Sequence, residues 1–123
     1  MEKEKEDPLR RKSMDFAVRI VGLPRWLREE KREFSIADQV LRSGTGIGAN
    51  LAEAKYAFSK KDFVNKCRIS LKESSETLFW IELLVKSGLA TREQEKSVYG
   101  ECNSLRRMLS ATCITIEKGL SLP

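Results

Sequence analysis

Three groups of residues in this chain of 123 residues could carry chemistry: acidic residues, cysteines and a run of glycines. Glu53, Glu73 and Glu76 fall on predicted helices, as do the carboxylates of di-iron bundle proteins, but those metal sites also need Glu-x-x-His pairs. The chain has no histidine, the commonest metal ligand and general base. We therefore expect these acids to pair with Arg or Lys, or to accept from buried donors, and we predict no metal and no cofactor.

The cysteines and glycines fit structural roles better than catalytic ones. Cys67 and Cys102 fall at apolar helix positions and Cys113 lies close to one, and the chain has no histidine to activate a thiol as a nucleophile. Their wide spacing and odd number, without a secretory signal, indicate reduced thiols and a cytoplasmic location. The run GTGIG at 44–48 has no strand before it and no G-K-[ST] after it, so we interpret it as close helix packing. We predict that the protein is not an enzyme.

Basic side chains are the best candidates for a binding site. The formal net charge is +5 and the pI is about 9.2, which is compatible with RNA or DNA as a partner. The candidate residues for nucleic-acid binding are Arg10, Arg11, Lys12, Lys60, Lys61, Arg68 and Lys72. The alternative is an ordinary solvated face, because Glu73 and Glu76 lie beside part of this set. The longest apolar run, at 78–85, is too short to span a membrane.

The elements that position these residues are four amphipathic helices. Apolar residues recur at spacings of three and four, which is typical of helices with one buried face. With few glycines and prolines for turns, and connections of about three or four residues, neighbouring helices are expected to be antiparallel. The predicted fold class is all-α, an antiparallel up-and-down four-helix bundle over residues 13–119. Residues 1–12 are predicted to form a flexible N-terminal tail.

Local signals mark the ends of these helices. Ser35, Ser59 and Thr91 are predicted N-caps, and Gly88 is the predicted glycine after the third helix. The predicted buried face of the second helix extends as far as Phe58.

The third helix carries more apolar residues than one buried face can use. Leu78, Ile81 and Val85 are predicted to point to the core. The surplus side chains are Phe79, Trp80 and Leu83, with Trp80 predicted to point farthest from the core. Either the first helix or the N-terminal tail covers them, or they form an interface between subunits. We favour self-association through these three residues.

Residues 40–54 read VLRSGTGIGANLAEA, and this run resembles the signature of four-helix-bundle proteins encoded in 23S rRNA intervening sequences. The similarity continues through Ser59, Asp62–Phe63, Ser70–Glu73 and Trp80–Leu84. The resemblance implies an up-and-down bundle and a homo-oligomeric ring, a pentamer in relatives. It implies no settled activity, since the family's name records where its first genes were found.

A distant branch of that family serves as accessory proteins of retroelement reverse transcriptases, but that branch lacks the Arg-Ser-Gly-x-x-Ile-Gly-Ala-Asn run. Two functions therefore stay open. One is a basic homo-oligomer that binds structured RNA or DNA through counterion release. The other is a scaffold that binds proteins and makes no contact with nucleic acid.

Overall fold

The structure, a computed structural model, describes residues 7–121, except for the side chains at 24, 120 and 121. Four helices account for nearly all of these residues. The helices are α1 (Pro8–Glu30), α2 (Ser35–Ala54), α3 (Lys60–Lys86) and α4 (Arg92–Ser121). No strand occurs within residues 7–121, which confirms the predicted all-α class. None of these helices has a stretch long and apolar enough to cross a bilayer.

The helices form a closed ring in which each contacts its two neighbours and the diagonal pairs stay apart, within the described residues. As α2 advances from Gly44 to Gly48, its nearest neighbour on α1 moves back from Ile20 to Ser13. Pairs between the other helices run in opposite directions in the same way: Ser43 with Thr77, Ile47 with Ser70, Ser74 with Cys102, and Arg68 with Glu117. The bundle is therefore up-and-down.

Most helix ends follow the local rules. The Ser59 hydroxyl accepts from the Asp62 N–H at 3.1 Å, and Thr91 and Gln94 bond each other's backbone N–H groups, as a capping box requires. Gly88 has a φ of +80°, a conformation that an L side chain disfavours. The N–H groups of Gly88 and the next residue donate to the carbonyls of Val85 and Leu84, which completes a Schellman motif and confirms the predicted end of α3.

Two predicted boundaries differ from the structure. Ser35 is the first residue of α2 rather than its cap, and the carboxylate of Glu33 accepts from the Ile36 N–H in its place. Phe58 is fully exposed because α2 ends four residues earlier, at Ala54.

The first helix also begins before residue 13. The Asp7 side chain accepts from the Leu9 N–H, and Leu9 is buried, so residues 8–12 belong to α1. Residues 1–6 lie outside the described residues, and their flexibility stays a prediction.

The buried face of α3 is rotated from the predicted one. Thr77 and Leu84 are fully buried, whereas Val85 is only half-buried. Trp80, predicted to point farthest outward, packs against the core. The rotation follows from small hydroxyl side chains that face α2: Thr77 donates to the Ser43 hydroxyl, and Ser70 donates to the Ile47 carbonyl at 2.7 Å. Because these hydrogen bonds satisfy the hydroxyl groups, polar residues of α3 can be buried. The pattern of apolar residues alone therefore predicts the wrong buried face of α3.

The closest approach between helices is at Gly44. A Cβ atom there would lie 2.8 Å from Cγ1 of Ile20, which is fully buried on α1. Gly48, which shares the α1-facing side, is less constrained, since a Cβ would lie 3.4 Å from Ser13. The predicted packing role of the glycine run is therefore strongest at Gly44.

Among the side chains that the structure describes, one charged group is buried between the helices. Glu95 on α4 is 3% exposed, and its Oε2 atom has no hydrogen-bond donor among residues 7–121. Burial raises the pKa of this carboxyl, and the positive charge of Arg19 opposes that effect in part.

We expect Gly44→Ala to lower the free energy of unfolding by about 1 to 3 kcal/mol, because the β-branched side chain of Ile20 cannot move aside. Gly22→Ala is the matched control, since a Cβ there meets open space and helix propensity should add about 0.5 to 1 kcal/mol. Urea unfolding of the two variants measures both values. A Gly44→Ala protein as stable as Gly22→Ala would contradict the close packing.

Glu95→Gln should stabilise the protein at neutral pH and change little near pH 4. A raised carboxyl pKa means that the folded state favours the neutral acid. The stability that this preference contributes is complete below the pKa of the unfolded state and is lost as pH rises through the pKa of the folded state. Melting curves of parent and variant from about pH 4 to about pH 7 measure the divergence. Parallel curves over this range would show that Glu95 is not destabilised by burial.

Candidate nucleic-acid interface

Up-and-down topology brings four chain segments together at one end of the bundle: the start of α1, the end of α2, the start of α3 and the end of α4. A small cleft of about 210 Å³ at this end is lined by residues of all four helices, among them Leu9, Leu51, Phe63 and Thr112. We call this end, comprising residues 7–16, 49–70 and 108–121, the basic end.

Positive charge is concentrated there. The basic end holds nine Lys or Arg and five Asp or Glu, a net charge of +4. The opposite end, residues 24–42 and 76–101, holds eight cations and nine carboxylates, a net charge of −1. Sequence reasoning found two separate clusters, and the fold places most of both at the same end.

A groove of about 510 Å³ between α1 and α2 opens at the basic end. Small residues of α2 line it, including Gly48, Ala49 and Ala52. Arg10 and Arg11 of α1 lie on one side and Lys55 on the other. Lys55 was missed from the sequence because it lies 44 residues along the chain from Arg11, and only the antiparallel pairing of α1 with α2 brings the two together.

The other predicted residues are placed less uniformly. Lys12, Lys60 and Lys61 are exposed at the basic end, and none has an ion pair within residues 7–121. Arg68 pairs with Glu117 of α4, and this hydrogen bond lowers the pKa of the Glu117 carboxyl. Lys72 is exposed near the middle of α3, outside the basic end.

The carboxylates on α2 and α3 pair with basic side chains, as expected from the sequence. Arg42 bonds to both Glu73 and Glu76, and Lys66 lies 3.3 Å from a carboxylate oxygen of Glu53. Burial raises the pKa of Glu73, with Arg42 acting in the opposite direction. No group of three potential metal-ligating side chains occurs within residues 7–121.

The three cysteines are free and buried. Burial raises the pKa of Cys67 to about 11 and that of Cys102 to about 12. The Cys102 thiol lies 3.4 Å from the Ser74 carbonyl, within hydrogen-bond distance. These thiols are protonated at neutral pH and behave as small core side chains.

A second surface feature lies on the outward side of α3. Phe79 is 57% exposed, and Leu83, one turn farther on, is half-buried. The Phe79 ring meets the Trp80 ring edge-on, with centroids 5.0 Å apart. We call Phe79 and Leu83 the apolar patch. Trp80 forms its inner side, and its Nε1 has no acceptor among the described residues.

Comparison with known proteins identifies the family. The family model described as 23S rRNA-intervening sequence protein matches residues 6–111. Among solved structures, a protein of unknown function from the S23 ribosomal protein family of Bacteroides thetaiotaomicron is 45% identical, with a TM-score of 0.83 over 85% of this chain and 97% of that chain. No curated protein matches the chain. The chain belongs to the 23S rRNA-intervening sequence protein family.

Proposed function

We propose that this protein is a non-enzymatic, homo-oligomeric helical bundle that binds the phosphate backbone of structured RNA or DNA through its basic end. The observation that carries the proposal is the asymmetry of charge, +4 at the basic end against −1 at the other. A cluster of cations on one surface releases counterions when it meets a polyanion, and this effect supplies most of the affinity of non-specific binding.

The side chains at the basic end suit contacts with the phosphate backbone of a nucleic acid better than recognition of its bases. Lys60 and Lys61 begin α3, are exposed and have no ion pair within residues 7–121, so their ammonium groups can reach phosphates without breaking a bond. Arg10 and Arg11 border the groove between α1 and α2. These contacts depend on charge rather than on base identity, so binding should show little sequence preference.

Two observations support a role without catalysis, and a third concerns the compartment. The thiols of Cys67 and Cys102 have raised pKa values, the opposite of what a nucleophile needs. The carboxylates of Glu73 and Glu76 are bound to Arg42, which links α2 to α3. Three free, buried cysteines also suit a reducing compartment, which favours the cytoplasm.

Self-association through the apolar patch completes the proposal. An aromatic side chain buries about 150 to 250 Å² when covered. Phe79 is more than half exposed beside Leu83, so covering it in an interface would add a substantial hydrophobic free energy. In a ring, each subunit would cover this patch with a different surface of its neighbour and present another basic end. Several basic ends on one particle would raise the affinity for a long polyanion.

The alternative is a scaffold that binds another protein and no nucleic acid. The apolar patch favours it, because an exposed aromatic side chain next to aliphatic ones suits a protein partner as well as a second copy. The salt dependence of nucleic-acid binding separates the two functions.

Lys60→Glu with Lys61→Glu should weaken binding to a labelled RNA hairpin and to a DNA duplex alike. Two lost phosphate contacts should reduce the slope of log affinity against log salt by about 2. Fluorescence anisotropy over a series of salt concentrations measures the slope. Glutamates in the first turn of α3 suit its helix dipole, so the variant should fold.

The matched control is Arg25→Glu with Arg107→Glu, which changes the net charge equally at exposed sites outside the basic end. Its slope should equal that of the parent. Equal losses in both variants would show that net charge alone matters and that the basic end is not the site. Absence of binding by the parent at low salt would favour the scaffold.

Phe79→Asp with Leu83→Asp should give a smaller particle that stays helical. The two carboxylates would have to be desolvated in the interface, at a cost of several kcal/mol. Light scattering after size exclusion gives the mass, to be compared with 14.1 kDa for one chain, and circular dichroism gives the helix content.

Val18→Asp with Ile114→Asp is the control, because it alters two exposed apolar side chains on α1 and α4 and should leave the mass unchanged. A parent that is already monomeric at micromolar concentration would overturn the interface, as would a Phe79 and Leu83 variant with the parent's mass.

A further inference from the structure

A second groove lies between α3 and α4, at the end of the bundle opposite the basic end. Its volume is about 550 Å³, within the range of small-molecule sites. Its apolar surface comes from Val85 of α3, which is half-buried, and from Tyr99 of α4, which is 39% exposed. A Cβ on Gly100, which also lines the groove, would meet open space. The groove therefore has room for an apolar group beside the Tyr99 ring.

The buried carboxylate of Glu95 also lines this groove. It is 3% exposed, and its Oε2 lacks a donor within residues 7–121, although a carboxylate oxygen buried without a donor is costly. The cation that acts on it, Arg19, instead donates to Glu101 at 2.6 Å. No feature of the fold described above requires an acid at position 95. A ligand that donates a hydrogen bond to the Glu95 carboxyl group from the groove would offset part of the cost of burying it.

The rim of the groove has the opposite charge. Arg92 and Lys96 lie one turn apart on α4, are exposed and have no ion pair within residues 7–121. Lys86 and Glu82, across the groove, also line it and pair with each other at 3.1 Å, so their charges cancel. A purely cationic ligand would be repelled by this rim, and a purely anionic one would be repelled by Glu95. A ligand that carries an ammonium group and a carboxylate on the same carbon matches the groove.

We propose that the groove between α3 and α4 binds a zwitterion of the α-amino-acid type with a large apolar side chain. Its ammonium group donates to Glu95, and its carboxylate lies between Arg92 and Lys96. Its side chain packs on Val85 and Tyr99 above Gly100. This site is independent of the nucleic-acid surface, which lies at the other end of the bundle, so either proposal can fail without the other.

The test is calorimetric titration of the full-length protein with L-phenylalanine. Two analogues each lack one charge: phenylethylamine has no carboxylate, and 3-phenylpropionate has no ammonium group. L-phenylalanine should bind at least tenfold more tightly than either. Equal affinity for L-phenylalanine and one analogue would overturn the proposal, because one of the two charges would then be unrecognised. So would absence of saturable binding of L-phenylalanine up to about 10 mM.

Two variants locate the site. Glu95→Gln should weaken L-phenylalanine binding at least tenfold, and it should fold, since it removes a buried charge. Gly100→Leu should fill the groove and abolish binding without altering Glu95. Gly22→Leu is its control, because that position also meets open space but lies on α1. If Gly100→Leu binds as well as Gly22→Leu, the ligand is not in this groove and the proposal is wrong.

Discussion

The separation of α1 and α2 is set where Gly44 faces Ile20, and the rest of the bundle is arranged around that contact. Any side chain at position 44 would meet a rigid, fully buried Ile20 side chain at less than van der Waals distance. On its other flank, α2 presents Ser43 to Thr77 and the Ile47 carbonyl to Ser70, again with small groups. These small groups let α2 approach both neighbours closely, and large side chains such as Phe16 and Ile47 are fully buried beside them.

This constraint explains what the family signature does. Arg42 links α2 to α3 through Glu73 and Glu76, Ser43 and Gly44 set the two close approaches, and Asn50 donates to the carbonyl of Gly46 at 2.8 Å. These residues act inside one chain, on packing or on helix pairing. The signature therefore specifies a fold, and the function has to be sought on surfaces that it leaves free, chiefly the basic end and the apolar patch.

Features governed by local rules could be predicted from the sequence. Helix ends depend on neighbours within a few residues, so residue types alone predicted the caps at Ser59 and Thr91 and the glycine at 88. The family signature identified the bundle. The start of α2 was missed because its first-turn N–H is satisfied by Glu33, a longer side chain that precedes the usual cap position.

Features that depend on tertiary pairing could not be predicted. The rotation of α3 follows from hydroxyl bonds between helices, which apolar periodicity does not register, so Trp80 was placed on the wrong side. Burial of Glu95 could not be inferred from a charged residue in the first turns of a helix. Lys55 joined the candidate site only when α1 and α2 were paired.

The location of the nucleic-acid surface is tested most directly by hydrogen–deuterium exchange measured by mass spectrometry, with and without a saturating RNA hairpin. We expect slower exchange in the segments at 8–13 and 55–62, which meet at the basic end, and unchanged exchange at 92–101. Slower exchange confined to residues 76–86 or 92–101, or no change in any segment, would contradict it.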